Sequence, residues 1–227
     1  FTDWELIIID DGSSDSTPNI IKKYSEKDSR IQLIKNRNNL GLPASLNKGI
    51  KVARSDYIAR ADADDVNLPE RLYKQYMYML NHPDVDVLGT GAWLLDVYGN
   101  RTKFVSLPET HEGLEKLQFL QTHFFHPTVL IRKTFFEKIG LYDENYKRAQ
   151  DKELWLRGLR EGSTYANLSE PLIEYSTNGY VRSWRSIIYR ILSLIKIVRS
   201  YKIRNGYKLV LRSLFFSIFA KLHLYKP

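Results

Sequence analysis

Apolar and polar positions along the chain fall into short segments of two periods. Leu6-Ile7-Ile8-Ile9 is a continuous β-branched run closed by Asp10-Asp11-Gly12, which predicts a buried strand of a parallel sheet. Ser16 or Thr17, followed by Pro18, marks the start of a helix that runs to about residue 28. Residues 30–34 predict a second strand, and 36–41 are turn chemistry. Within 43–53, Leu46, Ile50 and Ala53 stand at helical spacing. Residues 57–61 predict a third strand that runs into Asp62-Ala63-Asp64-Asp65. A helix over 68–81, with Pro69 in its first turn, and an apolar run over 85–93 follow.

Strand and helix alternate, which is the pattern of an α/β sheet with right-handed crossovers. Ligands of such sheets sit beyond the carboxyl ends of the strands, and both acidic clusters fall at such ends. The second half is less regular. Residues 128–132 predict a strand, 134–139 a short helix stopped by Gly140, and 150–160 a helix with Leu154, Trp155 and Leu159 on one face. No internal repeat or low-complexity stretch is present.

Beyond Gly179 the pattern changes. Ile187, Ile188, Ile191, Leu194, Ile195 and Val198 repeat at helical spacing, with basic residues between them. A second basic, apolar segment covers 207–225 after Asn205-Gly206. From residue 175 onward there are 11 Lys and Arg and no acidic residue, whereas 1–174 carries 23 basic against 26 acidic residues, a net of −3. The overall charge of +8 therefore belongs to the tail. Such asymmetry points to a polyanion, either nucleic acid or an anionic membrane surface. Apolar stripes with basic and aromatic flanks describe a helix lying in the membrane interface, and 207–225 is too interrupted to span. A helical pair packed on the domain satisfies the same pattern.

The 227 residues are 43% hydrophobic, enough for one full domain with a sizeable core. The absence of Cys excludes a disulfide scaffold, an iron–sulfur protein and a cysteine nucleophile, and fits a reducing compartment. The opening Phe1-Thr2-Asp3-Trp4-Glu5 has no initiator Met and lacks the basic-then-apolar order of a signal peptide, so the chain reads as a piece of something longer.

Three carboxylate groups could carry chemistry. Asp62 and Asp64, two residues apart at a strand end, can hold a hard divalent cation that bridges to phosphate oxygens; a solvated turn is the alternative. Asp10 and Asp11 can accept hydrogen bonds from a base or a ribose, or simply close a turn. Asp151, at a helix start, can act as a general base or only favour the helix dipole.

Taken together, residues 4–17 (Trp-Glu-Leu-Ile-Ile-Ile-Asp-Asp-Gly-Ser-Ser-Asp-Ser-Thr), 41–72, 125–140 and 143–158 resemble family 2 glycosyltransferases. Gly-Leu-Pro-Ala-Ser-Leu-Asn-Lys-Gly-Ile (41–50), Tyr-Ile-Ala-Arg-Ala-Asp-Ala-Asp-Asp (57–65) and His-Pro-Thr-Val-Leu-Ile-Arg (126–132) carry the likeness, which extends over about residues 1–175. The exopolysaccharide and lipopolysaccharide branch, including the amylovoran type, is the most similar.

The resemblance implies an α/β GT-A fold, a Rossmann-like three-layer sandwich, over 1–179, with a basic amphipathic helical extension over 180–227. It implies inverting transfer of a sugar from a nucleotide-diphosphate donor, such as a UDP-sugar, to a saccharide or lipid-linked acceptor. Asp10, Asp11 and Asp62 would bind the nucleotide. Asp62 and Asp64 would hold Mg²⁺ or Mn²⁺. Asp151 would be the base, and His126 lies toward the acceptor, where a core or surface histidine is an equal reading.

Three departures stand out. The strand and Pro-x-Tyr-Asn-type turn that open the family pattern would precede Phe1. Gln150 stands where an acid usually precedes the base. The Gln-x-x-Arg-Trp motif of processive synthases is absent, since Arg182-Ser183-Trp184-Arg185 does not match it, which favours single transfer. The implied location is the cytoplasmic side, peripheral on the inner face of the membrane. The rival readings are a nucleic-acid-binding protein, against which 1–174 has no basic face, and an inactive remnant of the enzyme.

Overall fold

The computed structural model describes residues 1–117, 123–176, 184–202, 207, 208, 210, 211 and 214. The first half runs β1 (Leu6–Asp10), α1 (Thr17–Ser25), β2 (Ile31–Lys35), α2 (Leu42–Val52), β3 (Tyr57–Ala59), β4 (Val66–Asn67), α3 (Arg71–Asn81), β5 (Val87–Leu95) and β6 (Arg101–Val105). The second runs α4 (His111–Leu117), a 3-10 turn (His126–Thr128), β7 (Leu130–Arg132), α5 (Lys133–Ile139), α6 (Gln150–Arg160), β8 (Tyr165–Ser176) and α7 (Trp184–Ser200).

β1 pairs with β2 in parallel, as expected of the Leu6–Ile9 run, but β1 is half-buried rather than buried, with only Asp10 fully enclosed. The larger sheet has the order β3-β7-β5-β8-β4, with β6 added to β5. Among the described residues, β5–β8 pairs in parallel in this sheet, and the β3–β7, β5–β7, β4–β8 and β5–β6 pairs are antiparallel. Among the described residues no strand pair joins the two sheets. β8 is the longest strand, and no sequence pattern announced it. Ser169-Glu170-Pro171 interrupts its apolar run, and the pairing register with β5 shifts there, the place where a sheet tolerates proline.

The core packs α5 and α6 onto the larger sheet through Phe124, Phe135, Trp155 and Tyr165, all fully buried. Their rings meet edge to face or tilted, the favoured geometries for aromatic pairs. Gly158 makes this approach possible. A Cβ there would stand 2.1 Å from Tyr165 Oη and 2.7 Å from Phe135. The depth to which α6 sinks, and so the position of its first turn, depends on that missing side chain.

α7 is two-sided. Leu194 and Ile197 are buried with Tyr146 and Leu156 of the body, whereas Ile188 and Leu192 are 57% and 55% exposed. The helix is therefore packed on the body along one face. The expected boundary at residues 179–180 and most of the second tail segment, 207–225, lie outside the described residues. Among the described residues no helix is long and apolar enough to cross a membrane.

Candidate active site

The site is built from the ends of β1 and β3, the 3-10 turn and the start of α6. At the end of β1, Asp10 is buried, and its Oδ1 accepts from Ser13 N at 2.9 Å. Its Oδ2 is buried with no partner among the described residues. Asp11 faces the N-terminus of α2. Its Oδ1 accepts from Leu40 N and Asn36 Nδ2, each at 2.8 Å, and its Oδ2 from Gly41 N at 2.8 Å. Burial alone would raise the Asp11 carboxyl, but the amides of Leu40 and Gly41 and the side chains of Asn36 and Ser45 hold it below the usual carboxylate range. Gly12 makes the turn, with φ +84° and a Cβ position only 3.1 Å from Asn39 N.

At the end of β3 the backbone continues beside β7, where Arg60 N donates to Val129 O at 3.0 Å. Ligand oxygens of Asp62, Asp64 and Asp65 then lie within 4.8 Å of one another. Asp62 is ion-paired with the buried Arg60 guanidinium, and Asp64 is exposed. Asp65 Oδ1 accepts from Ser176 N at 2.8 Å, at the last residue of β8, while Oδ2 is buried with no partner among the described residues. Burial pushes the Asp65 carboxyl up to about 6. The Ser176 amide opposes this, and the Asp62 and Asp64 charges add to it.

Arg71 lies fully buried beneath this loop. Its Nε donates to Gln75 Oε1 at 2.9 Å and its Nη2 to Arg60 O at 2.8 Å, and Asn67 caps its Nη1. Burial, with the Arg60 charge nearby, lowers Arg71 to about 10.

His126 is half-buried, and its Nε2 lies 2.8 Å from Tyr142 Oη. Burial and the Arg60 charge hold His126 well below its ordinary value. Burial raises the Tyr142 hydroxyl; Arg60 opposes, and the Asp151 and Asp62 charges add to the rise. The hydroxyl that meets His126 thus feels the charges of Arg60, Asp62 and Asp151. Asn47 of α2 fixes Tyr142 by a reciprocal pair, donating from Nδ2 to Tyr142 O at 2.9 Å and accepting Tyr142 N on Oδ1 at 3.0 Å.

Asp151 sits in the first turn of α6 and is half-buried; among the described residues no hydrogen bond engages its carboxylate. Two residues on, Glu153 is closed. It accepts Arg157 Nε and Nη2 at 2.9 Å each and Tyr201 Oη at 2.9 Å.

The structure therefore joins Asp64 to Asp62 in one carboxylate cluster and brings the charges of Asp62 and Asp151 to the hydroxyl that His126 meets, while Asp10 and Asp11 stand at the end of β1. Sequence reasoning missed Asp65, Arg60, Arg71, Asn47 and Tyr142. Arg60, Asp65 and Asn47 lie inside the stretches that carry the family likeness, so a signal was present for them. For Tyr142 there was none. The all-oxygen donor set and the orphaned Asp65 Oδ2 fit a hard cation such as Mg²⁺ or Mn²⁺.

A mixed sheet flanked by helices, with clustered carboxylates at a strand end and an open carboxylate at a helix start, defines a nucleotide-diphospho-sugar transferase fold of the GT-A type. Solved structures share this fold. The chain superposes on Staphylococcus aureus TarS 1-349 in complex with UDP with TM-score 0.62 at 18% identity, over 86% of this chain and 57% of that one. On the mannosyltransferase PcManGT from Pyrobaculum calidifontis, in complex with GDP-Man and Mn²⁺, the TM-score is 0.61 at 16% identity, over 96% and 61%.

The family is settled by sequence. The chain belongs to glycosyl transferase family 2, whose profile matches residues 1–140. It is 38% identical over 172 residues to an uncharacterized glycosyltransferase of Methanocaldococcus jannaschii, covering 75% of this chain and 59% of that protein. To the putative glycosyltransferase EpsE of Bacillus subtilis it is 36% identical, over 88% and 72%. To the amylovoran biosynthesis glycosyltransferase AmsE of Erwinia amylovora it is 28% identical, over 85% and 75%. The chain thus spans between about three fifths and three quarters of these relatives.

Proposed function

We propose that the chain transfers one sugar, with inversion, from a nucleotide-diphosphate donor to a hydroxyl of a saccharide or lipid-linked acceptor in cell-surface polysaccharide biosynthesis. The observation that carries this reading is the cluster of Asp62, Asp64 and Asp65, whose ligand oxygens lie within 4.8 Å of one another. Asp151, with no hydrogen bond among the described residues, is the carboxylate left to take a proton, and its charge and that of Asp62 both bear on the Tyr142 hydroxyl. The names of the relatives support the biosynthetic setting, and UDP and GDP-Man in the structural neighbours support a nucleotide donor, here a UDP-sugar.

Asp62 and Asp64, with Asp65, would hold Mg²⁺ or Mn²⁺, which when bound neutralises charge on the leaving diphosphate. Asp10 serves the nucleotide side through its unpartnered Oδ2, and Asp11, closed by Leu40, Gly41 and Asn36, holds the turn that shapes that side. Asp151 accepts the acceptor hydroxyl proton as the acceptor oxygen bonds to the anomeric carbon. The bond to the diphosphate breaks on the opposite face, and the nucleoside diphosphate leaves with the electron pair. His126 and Tyr142, joined through Nε2 and Oη, stand where the Asp62 and Asp151 charges both act. The test is release of nucleoside diphosphate from a panel of nucleotide sugars with and without Mn²⁺, with the anomeric configuration of the product determined. Retained configuration, or full activity in chelator, would refute the mechanism.

A peripheral position at the inner membrane face belongs to the same reading. Exposed Ile188 and Leu192 on α7 offer apolar area away from the packed face, and each neighbouring Lys or Arg contributes about 1 kcal/mol at an anionic surface. Co-sedimentation with vesicles of rising anionic lipid content should carry the chain down at low salt, and Ile188→Asp with Leu192→Asp should release it. A chain that stays in the supernatant at every composition rules out the membrane role.

A further inference from the structure

The acidic loop after β3 rests on two buried guanidinium groups, and one of them is incompletely satisfied. The Arg60 side chain is only 7% exposed. Its Nη2 is paired with Asp62, while Nε and Nη1 are buried with no partner among the described residues. The backbone of Arg60 is already anchored, its N–H by Val129 O and its carbonyl by Arg71. A guanidinium whose task was to brace the loop would place its remaining donors on carbonyls, as Arg71 does with Arg60 O and Val129 O. Arg60 instead has, among the described residues, one ion-paired anion, Asp62. Removing one member of a buried ion pair leaves an uncompensated charge, which is strongly unfavourable.

We infer that Arg60 is a resident competitor for the divalent cation: its ion pair with Asp62 keeps a free cation out, and yields when the cation arrives with a diphosphate whose oxygens balance the buried charge in place of Asp62. This rests on the metal reading of Asp62 and Asp64 given above. Arg60 is then a positioning residue that couples metal binding to donor binding, and the coupling is reciprocal. The device favours loading of the site by the metal–nucleotide pair over capture of metal alone. It differs from a simple shortage of protein ligands, because it predicts that deleting a protein cation strengthens metal binding.

The experiment is an electron paramagnetic resonance titration of Mn²⁺ into the full chain, without nucleotide and with saturating UDP. The wild type, Arg60→Gln and Arg60→Lys are compared. Arg60→Gln should bind Mn²⁺ without nucleotide at least about tenfold more tightly than the wild type, since a nearby positive charge is gone. The enhancement by UDP should shrink by the same factor, and Arg60→Lys should stay near the wild type. A bracing role predicts weaker Mn²⁺ binding in Arg60→Gln under both conditions, and equal or weaker nucleotide-free binding overturns the inference. If the wild type takes up no Mn²⁺ even with UDP, the metal reading itself fails.

A second measurement needs no folded glutamine variant. The ¹⁵N Nε–H resonance of Arg60, assigned by its loss in Arg60→Lys, should stay in place with Mg²⁺ alone and shift with Mg²⁺ plus UDP. A shift of equal size with Mg²⁺ alone also overturns the inference.

Discussion

The ends of β1 and β3 both lead into aspartates, and the fold closes Asp11 after β1 while it leaves Asp64 open after β3. Asp11 is closed, because Leu40 N, Gly41 N and Asn36 Nδ2 fill its oxygens and it organises the approach to α2. Asp64 is exposed, and Asp65 keeps one oxygen without an internal donor. α6 repeats the contrast within one turn. Glu153 is closed by Arg157 and Tyr201, while Asp151 has no hydrogen bond among the described residues. Residue type and place on the chain do not separate a structural carboxylate from a working one; the number of internal donors aimed at it does. Closed carboxylates should therefore govern stability, and open ones turnover.

The α6 pair offers the largest effects. Asp151→Asn should lower turnover by about 10²–10⁴-fold with donor affinity and melting temperature unchanged, which steady-state kinetics and calorimetry can check. Glu153→Gln should do the reverse, costing about 3 kcal/mol in denaturant unfolding by leaving Arg157 without its charge partner. Near-normal transfer by Asp151→Asn would reduce Asp151 to a helix-start acid.

The strand ends come next. Asp11→Ala should destabilise by about 1–3 kcal/mol, since it strands the Leu40 and Gly41 amides and the Asn36 amide. Asp64→Ala should stay within about 0.5 kcal/mol of the wild type in stability and still lose Mn²⁺-dependent turnover. If chemical unfolding ranks the two the other way, the distinction between closed and open carboxylates does not hold.

A buried group with no partner sharpens the contrast from another side. His123 is 1% exposed, with no partner on either ring nitrogen among the described residues, and burial lowers it to about 3. The unfolded chain takes up the proton near 6.5, so between about pH 6.5 and 3 it binds more protons than the folded state. Stability should therefore fall as pH drops through that window, by up to about 1.4 kcal/mol per pH unit from this group. His123→Phe should flatten the slope in urea unfolding measured from pH 7 to 4.

The α/β alternation of the first half, the strand-end position of both acidic clusters and the helix bearing Asp151 were all legible in local patterns. Hydrophobic period and capping chemistry report on neighbours in sequence, and those elements depend on neighbours. β8 was hidden because Ser169-Glu170-Pro171 breaks its run, and β6 because its pairing with β5 is a tertiary matter. The stripe on α7 was visible, but not its division between Leu194 and Ile197 facing the body and Ile188 and Leu192 facing out. In the site, Asp62, Asp64 and Asp151 could be named from their spacing and resemblance. Arg60 and Asn47 lay inside the stretches that carry the likeness but had no role there, and Tyr142 lay outside them; what each does rests on contacts with residues far along the chain.

The bond between Asn47 and Tyr142 has a consequence for folding kinetics. It joins positions 95 residues apart and pins the segment that leads into α6. Closing a loop of that length is an entropic toll met before the contact forms, and folds dominated by such distant contacts are slow. During synthesis β1, α1, β2 and α2 can pair and pack while Asp151 is still unmade. The nucleotide half should thus acquire protection from hydrogen exchange first and the proton-accepting half later, with Asn47→Ala slowing the second phase more than the first.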